Sequence, residues 1–380
     1  MSANMLGPYG EWAASLLPKG PGELSFRRTE FKSLAAWKRK AGGKLAELLA
    51  EPSIPGKLRV KIEKRYTYDG LDMEELSWDL PHGRSTRAVF LKPQGAKGAL
   101  PAILALHDHG GRKYFGIDKI VRLPGRRHPL LKEHQQDYYG DKGWANEIAR
   151  RGYAVLVHDA FLFGSRRIRY GDVGPELHRG RRERRPDSLA EVHAYNEWAA
   201  AQESVVASSL FCAGTTWPGA FLAEDRKALD YLCSRKDVDP GRVGCGGLSG
   251  GGLRTVFLGG TDSRIKAAVC AGFMSTWRDF LLYKSFTHTW MMYAPLAPRY
   301  FEFGEMLGLR VPLPTMVLNC NEDSLFTLEE MHKADRALKG VYRKAKASGA
   351  YDCRFYPGGH KFDLEMQGDA FGFWDRWLKG

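Results

Sequence analysis

The pattern of hydrophobic positions changes its period along the chain. Between residues 27 and 51, Leu34, Trp37, Leu45, Leu48 and Leu49 recur at helical spacing, which predicts helix. Gly42-Gly43 in the middle leaves one helix and two shorter ones equally open. From about residue 57 the period shortens. Leu58–Ile62 alternates as a half-buried strand does, and Ser85–Leu91 is a second candidate. Pro101–Leu106 is apolar without interruption, as in a strand covered on both faces. Tyr153–Asp159, Arg242–Leu248, Lys266–Phe273, Thr315–Cys320 and Tyr351–Tyr356 also read as strands.

Helical patterns separate these strands. Trp144–Gly152 ends on a glycine suited to a left-handed cap. Leu222, Leu229, Leu232 and Cys233 share one face of residues 222–236, and Met331, Ala334, Leu338 and Val341 mark a further helix. Met366, Ala370, Trp374 and Trp377 mark the last. Strands alternating with helices predict a mostly parallel, doubly wound α/β sheet. The expected organisation is a helical extension over residues 1–56 packed on an α/β domain over 57–380. An irregular, charged excursion spans 160–220. Excursions at strand C-termini form the mouth of the site in such sheets.

Composition narrows the class. A hydrophobic content of 43% in 380 residues supports a large core and argues against disorder. The cysteines, at 212, 233, 245, 270, 320 and 353, form no CxxC pair, and three lie in apolar runs. Free thiols in a reducing, cytoplasmic setting fit this best. Met1–Gly20 lacks the pattern of a secretory signal, and no run approaches about 18 apolar residues, so no membrane association is expected. The net charge of +13 raises the question of nucleic acid. Much of it is local: Arg166, Arg167, Arg169, Arg179, Arg181, Arg182, Arg184 and Arg185, interleaved with Asp172, Glu176 and Glu183. No nucleic-acid-binding signature accompanies them, so the segment reads as solvated or salt-bridged surface. Attraction of an anionic substrate is the second reading.

The chemistry concentrates in Val243–Gly252, a short apolar strand running into G-x-S-x-G at Gly247–Gly251. The pattern describes a serine on a sharp strand-to-helix turn, where small neighbours are a steric need. A serine hydroxyl is a weak nucleophile and needs a base, which in turn needs an orienting group. His360 follows the last strand in Tyr356–Phe362 and is the candidate base. Asp323 and Glu322 follow Thr315–Cys320; Asp323 is preferred, with Glu322 read as a cap of the helix beginning near Thr327 or as solvent-exposed. His82, His128, His178, His193, His288 and His332 read as structural or surface residues. The loop His107–Arg112 follows the buried strand, where a second oxyanion donor belongs. Gly250 supplies the first backbone N–H, and His109, with Gly110 as second choice, supplies the other. A metal reading of His107-Asp108-His109 lacks a third ligand, and no metal or cofactor is expected.

These residues resemble the α/β-hydrolase superfamily, and within it the dienelactone-hydrolase-like and acetyl-xylan-esterase-like serine esterases. The matching pieces are HDHGG at 107–111, GYAVLVHDAFLFGSRR at 152–167, DRKALDYLCSRKDVDPGRVGCGGLSGGGLRT at 225–255, NEDSLF at 321–326 and PGGHKF at 357–362. The resemblance implies the α/β-hydrolase fold, Ser249 as nucleophile, Asp323 as acid, His360 as base, and His109 and Gly250 as oxyanion donors. Two departures stand out: Ser249 occupies the position that is cysteine in dienelactone hydrolases, and His107-Asp108 stands where many members read His-Gly. The expected activity is hydrolysis of small-acyl esters, with carbohydrate esters among the candidates, through an acyl-enzyme. Two alternatives are a prolyl-oligopeptidase-type peptidase, which usually carries a β-propeller that residues 1–56 cannot build, and a non-catalytic relative that binds a ligand. Phe161, Phe163, Trp217, Trp277 and Tyr283 fall in segments expected to wall the pocket, although each reads more readily as core.

Overall fold

The computed structural model describes residues 4–380. Strand β1 (Lys61–Tyr68) turns through Asp69-Gly70 into β2 (Leu71–Trp78). Both turn residues have positive φ, 51° and 74°, so the twist of the turn matches that of the strands. The alternation at Leu58–Ile62 lies mostly ahead of β1, which is a largely exposed edge strand blunted by lysine, glutamate and arginine. The hairpin's Asp-Gly signal went unread in the sequence, and β2 with it.

The remaining strands are β3 (Thr86–Pro93), β4 (Leu100–Ala105), β5 (Ala154–His158), β6 (Val238–Leu248), β7 (Ile265–Ala271), β8 (Thr315–Cys320) and β9 (Tyr351–Tyr356). The sheet order is β1-β2-β3-β5-β4-β6-β7-β8-β9. Pairings are antiparallel from β1 to β5 and parallel from β5 through β4 to β9. After β4 the chain steps to one side to lay down β5, then returns to the other side for β6. The C-terminal ends of β4 and β6 therefore flank a crevice where the winding reverses, the standard ligand position in such sheets.

Successive residues of the central strands face opposite layers. Ala102 and Leu104 of β4 and Leu156 of β5 join one apolar cluster, and Ile103, Ala105, Val155 and Val157 join the other. Helix α1 (Leu34–Leu49) is a single helix across Gly42-Gly43, capped by the Ser33 hydroxyl, and buries Trp37, Ala41, Leu45 and Leu49 in one stripe. Chain order then gives α2 (Pro129–Tyr139), α3 (Trp144–Arg150), α4 (Leu189–Ala201), α5 (Glu203–Cys212), α6 (Trp217–Ser234), α7 (Gly250–Thr261), α8 (Leu328–Lys344) and α9 (Leu364–Leu378). Helices α1, α6, α7 and α8 cover the first face, and α3 and α9 the second.

The 160–220 excursion is more regular than expected. It holds α4 and α5, whose apolar residues lack a clean helical period, and Val192, Tyr195 and Trp198 build a separate small core with Tyr114, Phe115 and Tyr170. Its arginines are partly tied inward. Arg166 is buried against Glu224 at 2.5 Å, and the Arg167 guanidinium lies 4.3 Å from the Tyr114 ring centre. Cys245, Cys270 and Cys320 are buried free thiols, whereas Cys212 is exposed. Among the described residues no single helix is long and apolar enough to cross a membrane; α5 and α6 pass that test only as a pair bent by 85°.

Trp37 is 1% exposed, donates its indole N–H to the Leu24 carbonyl at 2.7 Å and packs 4.6 Å from the Phe26 ring. Trp37→Ala should cost about 3–5 kcal/mol in chemical denaturation while keeping a single transition. A loss below about 1 kcal/mol would mean that the N-terminal region does not share the cooperative core.

Candidate active site

Ser249 stands between β6 and α7 with φ 56° and ψ −116°, a conformation that β-carbon-bearing residues avoid. The neighbouring backbone enforces it. A Cβ on Gly247 or on Gly251 would press into the Leu106 carbonyl oxygen, and one on Gly250 would lie 2.7 Å from the His109 nitrogen. The exit of β4 is thus pressed against the turn that carries the serine. Both the oxyanion-loop candidates and the serine sit where β4 and β6 end.

Asp323 and His360 come from the loops after β8 and β9. The Asp323 carboxylate is buried, accepts the Leu325 N–H at 3.0 Å and meets His360 Nδ1 at 2.6 Å. This fixes the proton on Nδ1 and leaves Nε2 as the acceptor. Nε2 is buried and has no hydrogen-bond partner among the described residues. The ring rests over Gly272, where a Cβ would approach its Cε1 to 2.8 Å, and φ is +57°. Glu322 is exposed and does not reach the imidazole; its carboxylate faces the Gly358 N–H.

A cavity of about 460 Å³ brings Ser249, Gly250, His360, His109 and Gly110 together. Its aromatic walls are Tyr138, Phe273, Phe286 and Trp290. None of Phe161, Phe163, Trp217, Trp277 or Tyr283 lines it. Phe161 and Trp217 pack on each other, and Phe163 braces the rings of His107 and His109 from beneath. The arginine-rich segment contributes nothing to the lining either, and the lining contains no lysine or arginine. Among the described residues no group of three or more His, Cys, Asp or Glu side chains converges as a metal site.

Two further wall residues matter: His288, read in the sequence as structural or surface, and Glu203, missed there. Burial depresses the His288 imidazole to about 4, so it is neutral; its Nε2 donates to the Leu325 carbonyl at 3.0 Å, bracing the loop that carries Asp323. Glu203, on the first turn of α5, accepts from His109 Nε2 at 2.7 Å and from the Lys113 ammonium, while its other oxygen takes the Thr289 hydroxyl at 2.7 Å and the Trp290 N–H at 3.1 Å. One carboxylate therefore joins the loop after β4, the excursion and the far wall. Nothing local in the sequence marks Glu203, because its partners lie 86 to 94 residues away.

Residues 219–379 match the prolyl oligopeptidase family. The chain is 26% identical over 309 residues to YtaP of Bacillus subtilis (strain 168), a protein provisionally named a hydrolase, covering 80% of this chain and 88% of that one. A Bacteroides fragilis NCTC 9343 structure provisionally named an acetyl xylan esterase superposes with a TM-score of 0.68 at 18% identity, covering 93% of this chain and 83% of that one. The chain has the α/β-hydrolase fold. A glucuronoyl esterase from Solibacter usitatus superposes on this chain with a TM-score of 0.64 at 15% identity, over 96% of this chain and 100% of that one.

Burial would raise the Glu203 carboxyl, but the His109 hydrogen bond and then the Lys113 charge hold it well below its usual 4.5. A depressed folded-state value stabilises the fold fully above the unfolded value, and the contribution fades as pH falls below it. Glu203→Gln should therefore cost about 3 kcal/mol at neutral pH, with the gap to wild type narrowing as pH drops below about 4.5. Urea denaturation across that range checks it; a gap independent of pH would contradict the assignment.

Proposed function

We propose that this α/β-hydrolase is a serine carboxylic-ester hydrolase working through an acyl-enzyme. The observation that carries the reading is His360, held through Nδ1 by buried Asp323 with Nε2 unpartnered in the cavity that holds Ser249. As Ser249 attacks an ester carbonyl, His360 takes the hydroxyl proton on Nε2, and Asp323 stabilises the resulting imidazolium without itself being protonated. The Gly250 and His109 N–H groups receive the developing oxyanion. Proton return to the alkoxide releases the alcohol, and water repeats the sequence on the acyl-enzyme.

The substrate proposed is a neutral ester with a small acyl group, carbohydrate esters included. A lining without lysine or arginine offers an anionic ester no counter-charge. The names of the acetyl xylan esterase and glucuronoyl esterase neighbours are in line with carbohydrate esters. The match of residues 219–379 to the prolyl oligopeptidase family favours one second reading, amide hydrolysis by the same three residues.

Ser249→Ala should lower kcat for p-nitrophenyl acetate by about 10⁴-fold or more, with the fold intact by circular dichroism. Unchanged turnover would remove Ser249 from the mechanism. In a panel of matched substrates, neutral acetyl esters should exceed both anionic esters and prolyl anilides in kcat/KM. Preference for the anilides would establish the peptidase reading instead.

A further inference from the structure

Behind the loop after β4 lies a lysine that the reaction as described does not use. Lys119 closes the short turn Ile117–Lys119 and is fully buried. Its ammonium donates to the Asp108 carbonyl at 2.7 Å and to the His109 carbonyl at 2.8 Å. It lies 3.7 Å from Asp108 Oδ2 and 4.7 Å from the centre of the Phe163 ring. The Asp108 carboxylate is anchored in turn through Oδ1 by the Tyr139 hydroxyl at 2.5 Å and by His134 Nε2 at 3.2 Å. This gives the aspartate after His107 a physical role: it is the counter-charge for a buried ammonium.

We propose that Lys119 is a positioning residue of the oxyanion hole, holding the Asp108 and His109 carbonyls turned away from Ser249 so that the His109 and Gly110 N–H groups face the cavity. This rests on the reading of Ser249 as an acyl-accepting nucleophile.

The geometry follows from peptide planarity. In a trans peptide the N–H points opposite to the C=O of the same plane. The carbonyl of Asp108 shares its plane with the N–H of His109, and that of His109 with the N–H of Gly110. Two carbonyls drawn to one ammonium therefore turn two successive N–H groups to the opposite side. On that side lies Gly250, whose missing Cβ would sit 2.7 Å from the His109 nitrogen. Among the described residues neither N–H has an acceptor of its own. Donors that face the cavity in this way are free to bond water or a ligand there. Rotation of either peptide would break a charge-assisted bond to Lys119, so the donors are fixed before the substrate arrives. Pre-orientation of this kind is what makes oxyanion stabilisation effective, because no reorganisation is needed at the moment of reaction.

The test uses the full chain, p-nitrophenyl acetate kinetics, the rate of Ser249 labelling by a fluorophosphonate, and thermal unfolding. Lys119→Met should lower kcat and the labelling rate together by about 10–100-fold, somewhat less than the loss of a whole oxyanion donor, with KM changed less than about threefold. Trp37→Ala, destabilised far from the loop, should keep wild-type kcat at temperatures where it is folded. Should Lys119→Met fail to fold, Lys119→Gln decides, because its shorter amide cannot span both carbonyls and the same loss is expected. A folded Lys119 variant with wild-type kcat and labelling, or one whose defect lies in KM alone, overturns the proposal. Wild-type protein that neither turns over the ester nor labels at Ser249 overturns the nucleophile reading on which the proposal stands, and is a different result from an active enzyme indifferent to Lys119.

Discussion

The close contact between the Leu106 carbonyl and the turn Gly247–Gly251 is the constraint on which the site depends. Two glycines meet one carbonyl oxygen with no room for a β-carbon on either, and the strained backbone of Ser249 lies between them. Such a contact brings the end of β4 against the start of α7. It therefore brings the loop that offers backbone donors beside the residue that offers a hydroxyl. A strained φ of 56° persists only where the surroundings over-determine it, and here strand, helix and loop all do.

Around that contact the site is assembled from strand ends. Each strand from β4 to β8 is buried on both faces over its C-terminal half, so its direction is set by the core and its exit point is rigid. Chemistry-bearing loops inherit that rigidity at their first residues. Asp323 lies three residues beyond β8 and His360 four beyond β9, close enough for a 2.6 Å contact to be reproducibly held. Farther from the strands, placement is maintained by charge instead. Glu203 joins three segments through four hydrogen bonds. Lys119 and Asp108 do similar work under the loop after β4.

This division explains what was legible in the sequence. Continuous apolar runs announce buried strands, and Thr315–Cys320 matches the structure residue for residue, as does the half-exposed edge strand Tyr351–Tyr356. Because the candidate site residues sit at strand ends, the strand reading led to Ser249 and His360, which line one cavity, and to Asp323, buried behind the imidazole. The exposed edge strand β1 was harder, since a strand solvated on much of its surface carries little hydrophobic pattern. Helices α4 and α5 were missed for a related reason: they spread their apolar residues around the helix, and the period blurs. The pocket walls were only half legible because an aromatic side chain near a strand end reads alike whether it turns inward, as Phe163 and Trp217 do in line with their core reading, or toward the cavity, as Phe273 does. Glu203 and Lys119 were invisible for a different reason. A charged residue announces no partner locally, and its meaning depends on which distant segments fold against it.

The most direct test of the central claim is to trap the covalent intermediate. Protein mixed with excess p-nitrophenyl acetate, quenched in acid within the first turnover and digested, should carry an acetyl group on the peptide containing Ser249, and none there in Ser249→Ala. Ester turnover with the acetyl group on another residue, or with no covalent adduct under conditions where deacylation is slowed, would contradict the account.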